Sequence, residues 1–142
     1  MKALIQRVST AQVTVDKKTI GAIDQGIVLL LGIEKDDSDI TVERCLKKIL
    51  NYRIFSDENG KMNLSLKDID AGLLIISQFT LVAQTNKGTR PGFSQGASPA
   101  HGEKIYDAFL ESAKTSHSKV ASGQFGADMQ VSLINDGPVT FM

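Results

Sequence analysis

Two apolar runs constrain the fold of this chain more than any other feature: GIVLLLGI at 26–33 and GLLIISQFTLVA at 72–83. Each is too short and too rich in branched side chains for a long helix, and each reads as a buried strand. Strands this apolar need cover, and the sequence supplies it. After 33, Asp36, Asp37, Ser38 and Asp39 offer N-caps and an acidic first turn. Val42, Cys45, Leu46, Ile49 and Leu50 then recur at helical spacing, and Lys47 and Lys48 suit the negative C-terminal end. Ser98-Pro99 opens a second helix as N-cap and first-turn proline, with Ile105, Ala108, Phe109 and Ala113 on its apolar face.

The remaining segments are β-prone. Residues 2–8, 11–15 and 19–23 read as strands paired antiparallel, and 52–66 as strand, tight turn at Glu58-Asn59-Gly60, strand. Met129, Val131 and Leu133 alternate as in a half-buried strand. Mostly strands with two separated helices predict an α+β fold, antiparallel or mixed sheet packed with two helices. The 142 residues predict a single domain, 1–142.

Sixteen basic residues balance sixteen acidic ones, so any RNA contact must rest on a local patch. Cys45 stands alone, which excludes an intramolecular disulfide, fits a reducing compartment, and places the thiol in the core. The N-terminal apolar run breaks at Gln6-Arg7, and no stretch reaches the ~18 apolar residues of a membrane span. A cytoplasmic protein without membrane contact is expected.

The sequence has no phosphate loop, no H-E-x-x-H and no dinucleotide fingerprint. His101 and His117 flank the second helix and are expected to face water, and neither stands at ligand spacing with Cys45. No metal and no cofactor is expected.

Three stretches invite a functional reading. Ser77-Gln78-Phe79-Thr80 sets polar residues inside an apolar strand, where they are unfavourable unless partnered; simple in–out alternation is the competing account. Residues 84–99 form a long aperiodic loop carrying Lys87 and Arg90 and no acid. With Lys104 these cations make either a local basic patch or an ordinary solvated surface. Asn135 to Thr140 holds Gly137-Pro138 near the end of the chain, where a strand-terminating turn is the competing account.

Taken together, SQFTL, NKGTRPGF and NDGPVTF, with IQRVSTAQVTVD, FSDENGKMNLSL and SGQFGADMQVSLINDGPVTF, resemble the D-aminoacyl-tRNA deacylase family. The likeness covers nearly the whole chain in order. Gly92 departs from it, standing where many members carry serine.

The resemblance implies a β-rich fold flanked by helices and a homodimer with active sites at the subunit interface. It implies hydrolysis of the ester joining a D-amino acid to the terminal adenosine of tRNA. Ser77, Gln78, Phe79 and Thr80 would line the pocket, the N–H groups around Phe79 and Thr80 serving as oxyanion donors. Gly137 and Pro138 of the other subunit, joined by a cis bond and propped by Arg7, would exclude L-amino acids. Such exclusion would spare nothing achiral, so glycyl-tRNA would also be cleaved. Lys87 and Arg90 would meet the acceptor end. Thr80 as nucleophile has no activating base beside it in sequence, which favours assistance by the ribose hydroxyl of the RNA. A threonine esterase and a non-catalytic nucleic-acid-binding module are the alternatives.

Overall fold

The computed structural model describes residues 1–142. A long strand, β1 (Lys2–Val15), forms the spine of the sheet. One of its edges pairs antiparallel with β2 (Lys18–Ile23) near its C-terminal end and with β3 (Gly26–Gly32) along its first half. Its other edge pairs antiparallel with the C-terminal strand β8 (Gln130–Phe141). Beyond β3 the sheet continues in parallel through β6 (Gly72–Ser77) to β7 (Val120–Ser122). The sheet is therefore mixed, and it curls until a β-carbon built on Gly21 of β2 would touch Ser122 O of β7 at 2.7 Å. A small hairpin of β4 (Phe55–Ser56) and β5 (Met62–Leu64) stands apart.

Strand alternation divides the interior in two. Ile5, Ile27, Leu29, Leu31, Leu73 and Ile75 face the helices and pack with Val42, Leu46, Ile49, Ile105, Tyr106 and Phe109. Val8, Val13, Val28, Leu74 and Ile76 fill the inside of the curl with Ala11. Because both faces of β3 and β6 are covered, their apolar runs are continuous and not alternating, as expected for parallel strands. Gly26 and Gly72 open these two strands as register partners, and a β-carbon on Gly26 would fall 2.0 Å from Gly72 O.

Helix α1 (Asp39–Leu50) starts at Ser38, whose N–H donates to Thr41 Oγ1 at 2.9 Å. Helix α2 (Pro99–Ser116) starts at Ser98, whose hydroxyl accepts from the His101 N–H, with Pro99 in the first turn. Full burial of Val42, Leu46, Ile49 and Leu50 contributes ~1.5–3 kcal/mol apiece, which holds α1 on the sheet.

The structure differs from the sequence reading in four places. Residues 2–15 form one strand, not two. The strand beginning at Gly72 ends at Ser77 and turns into a 3-10 segment, Phe79–Val82, so alternation does not describe Gln78 to Leu81. A short strand, β7, carries 120–122. His117 does not face water: it is buried, with Nε2 2.6 Å from Ala71 O, because α2 ends over the start of β6. Cys45 packs against the helix-side core, and burial raises its thiol pKa above the ordinary value. No helix is long and apolar enough to cross a membrane.

Candidate active site

At the C-terminal end of β6 the chain leaves the sheet. Gln78 N–H still donates to Leu31 O at 2.8 Å, and the backbone then tightens into the 3-10 turn. Within it Leu81 N–H reaches Gln78 O at 3.2 Å and Ala83 N–H reaches Thr80 O at 3.1 Å. The first two N–H groups of the turn, on Phe79 and Thr80, have no acceptor inside it, as at any helix start. Such groups are fixed donors for an anion or a developing oxyanion.

The turn borders a pocket of about 540 Å³. Ser77, Gln78 and Phe79 form one side, Ile33, Gly96 and Pro99 another, and Phe125, Ala127 and Met129 a third. Gly102 admits Phe125: a β-carbon there would meet its Cζ at 3.2 Å. Tyr106 backs the wall, its hydroxyl donating to Ile75 O at 2.9 Å and its ring 5.7 Å from that of Phe125. Burial raises the Tyr106 pKa far above its ordinary value, so it stays a neutral donor. The 124–129 wall escaped the sequence reading; its glycines, Gly123 and Gly126, were the available signal, since a β-carbon on Gly123 would lie 2.5 Å from Met129 Sδ.

Thr80 does not line the pocket. Its Oγ1 accepts from Gln78 Nε2 at 2.5 Å, and nothing basic touches it. His101 Nε2 lies 3.0 Å from Asp37 O, and His117 sits beneath Ala71, at the other end of β6. Lys87 and Arg90 are exposed on the loop, which folds back through Gln84 and Gly92 and brings Phe93 against Phe79.

Gly137 and Pro138 lie elsewhere. β8 pairs with β1 at Asn135↔Val8 and again at Thr140↔Gln6, so residues 136–139 bulge opposite Arg7. The Gly137-Pro138 bond is cis and Gly137 has φ +149°. Arg7, largely buried, donates from Nε to Asp136 O at 2.8 Å and from Nη1 to Ile54 O at 2.7 Å, and its Nε is 3.3 Å from Asp136 Oδ2. Asn135 spans the bulge, accepting Val139 N–H at 2.7 Å and donating to Thr140 Oγ1 at 2.9 Å. Gly137 and Pro138 are exposed.

Ser77 shares a row with Leu31 and Ala3, and Leu73 with Ile27 and Arg7, so the bulge and the 3-10 turn leave the sheet from different rows. No residue from 135 to 140 lines the pocket of its own chain.

A family model described as D-Tyr-tRNA(Tyr) deacylase matches residues 4–142. The chain belongs to the D-aminoacyl-tRNA deacylase family. It is 60% identical over 141 residues to a D-aminoacyl-tRNA deacylase of Pseudoalteromonas atlantica, covering 99% of this chain and 97% of that one. It is 57% identical over 142 residues to the Ectopseudomonas mendocina deacylase, covering 100% and 98%. Among solved structures, a c-Myc DNA Unwinding Element Binding Protein superposes with TM-score 0.95 at 42% identity, covering 99% of this chain and 96% of that one. A probable eukaryotic D-amino acid tRNA deacylase shares the fold, with TM-score 0.88 at 18% identity and coverage of 98% and 96%.

Proposed function

We propose that residues 1–142 act as one domain that hydrolyses the ester of D-aminoacyl-tRNA, releasing the D-amino acid and the tRNA in the cytoplasm. The observation that carries this reading is the 3-10 turn: it presents two unbonded backbone N–H groups, on Phe79 and Thr80, beside a pocket that fits a nucleoside-sized group. An aminoacyl ester is already activated, so orientation and oxyanion stabilisation suffice, and one such donor is worth ~10²–10³ in rate. Ser77 and Gln78 hold the amino-acid and adenosine ends. The ribose hydroxyl assists the attack of water, since Thr80 Oγ1 is occupied by Gln78 and has no base.

The functional unit is a homodimer with its sites at the subunit interface. Gly137-Pro138 of one protomer enters the pocket of its partner, and Arg7 and Asn135 hold the bulge rigid. The rigid bulge leaves no room for an L side chain, a rejection by clash that tolerates any D side chain and glycine. That no residue from 135 to 140 lines the pocket of its own chain supports a contribution from the second copy. A time course on matched L-, D- and glycyl-tRNA tests this: D- and glycyl esters should be cleaved and the L ester should survive. Efficient cleavage of the L ester would remove the selective role of the bulge.

A second reading takes its support from the 42% identical neighbour named for DNA binding: a nucleic-acid-binding module using the Lys87–Arg90 loop. Affinity for uncharged RNA or DNA with no ester hydrolysis would favour it.

A further inference from the structure

The rim of the pocket carries two exposed benzene rings. Phe79 is 65% exposed and Phe93 43%, with centroids 5.1 Å apart and planes tilted by 52°. They come from different segments. Phe79 sits on the 3-10 turn, and Phe93 is brought to it because Gln84 and Gly92 exchange backbone hydrogen bonds of 2.7 and 3.0 Å. Lys87 and Arg90 lie in the loop this closes, exposed and in no ion pair, and no acid occurs from 84 to 99. Pocket and ring pair thus share one rim, and the cation-bearing loop springs from it at Gln84 and Gly92.

We propose that this surface is the subsite for the single-stranded RNA immediately preceding the terminal nucleoside: the penultimate base stacks on Phe93, and Lys87 and Arg90 meet its flanking phosphates. The inference rests on the deacylase reading and adds a subsite that ester cleavage itself does not require. An aromatic face beside cations is how single strands are held without sequence readout. An RNA strand brings a negative charge with every nucleotide, which matches two cations that have no ion-pair partner within the chain.

The test compares kcat/KM for two D-tyrosyl esters, one of adenosine and one of the trinucleotide cytidylyl-cytidylyl-adenosine. The parent should prefer the trinucleotide. In Phe93→Leu the ratio should fall by about 5- to 150-fold, chiefly through KM, and Phe93→Trp should keep it. Damage to folding or to the nucleoside pocket slows both esters together and leaves the ratio alone. The proposal is overturned if the parent shows no preference, or if Phe93→Leu leaves the ratio unchanged, as it would were the rings covered by a second copy. A parent that cleaves neither ester overturns the deacylase reading itself, and the subsite with it.

Discussion

Two inactive variants should rescue each other. The first, Gly137→Ala, attacks the bulge. Its new β-carbon would lie 2.6 Å from Val139 Cγ2 and 2.8 Å from Val139 N, at a φ of +149°. Backbone held in that region by a residue other than glycine costs ~1–3 kcal/mol, and no rotamer change relieves contact with Val139 N. The second, Thr80→Pro, attacks the pocket. It removes the Thr80 N–H and pushes Phe79 out of the helical region, for a loss of ~10²–10³ in rate. A displaced bulge crowds the partner's pocket against every substrate, so each homodimer should be nearly silent. If each site takes its pocket from one protomer and its bulge from the other, a mixed dimer has one site assembled from two sound parts and one from two damaged parts. Random pairing of equal amounts makes about half the dimers mixed, and activity should return to about a quarter of the parent's. Single-turnover hydrolysis of D-tyrosyl-tRNA by co-refolded protein measures it. If the mixture stays as silent as its components, the site is built within one chain and the cross-subunit reasoning is wrong.

Thr80→Ala should retain most of the single-turnover rate, because the hydroxyl only accepts from Gln78; a loss of ~10⁴-fold, the scale for an essential nucleophile, would restore the threonine-esterase reading. Sedimentation at micromolar concentration should give roughly twice the 15.3 kDa chain mass, and a fully active monomer would contradict the shared site. Asp68 accepts Ser65 N–H and Oγ–H at 2.7 and 2.6 Å, and these bonds hold its pKa below the ordinary 3.8. The carboxylate thus stabilises the fold above pH 3.8 and ceases to as pH falls through the lower folded value. Asp68→Asn should lower the denaturation midpoint at pH 7, and the gap to the parent should close as pH falls below 3.8, checked by denaturation at each pH.

The helices were legible because their ends are written locally: Ser38 and Ser98 cap them and Pro99 fits only a first turn. The apolar runs announced strands, and their lack of alternation anticipated cover on both faces. The 3-10 turn was hidden, because Phe79, Leu81 and Val82 continue the apolar pattern past the end of β6 and only hydrogen bonding distinguishes the two. His117 was misread because its partner, Ala71 O, is 46 residues away. The pairing of Phe93 with Phe79 was hidden for the same reason: the two meet through the fold, not along the chain. The sequence order of the terminal bulge was plain, but the hold of Arg7 on Asp136 joins the two ends of the chain across 129 residues.

The glycine pair at the start of β3 and β6 has a consequence at the other end of those strands. Alternation normally penalises a one-residue slip by turning apolar side chains outward. GIVLLLG and GLLIIS are apolar on both faces, so a slipped pairing would bury nearly the same oil and go unpunished. What distinguishes the correct alignment is a lack of bulk: only Gly26 leaves room for Gly72 O, while Ile27 in its place would bring a β-carbon into that oxygen. The two strands are indexed like a key by a missing tooth. Five residues further along, ~17 Å away, that index decides whether Ser77 arrives opposite Leu31 or one notch off.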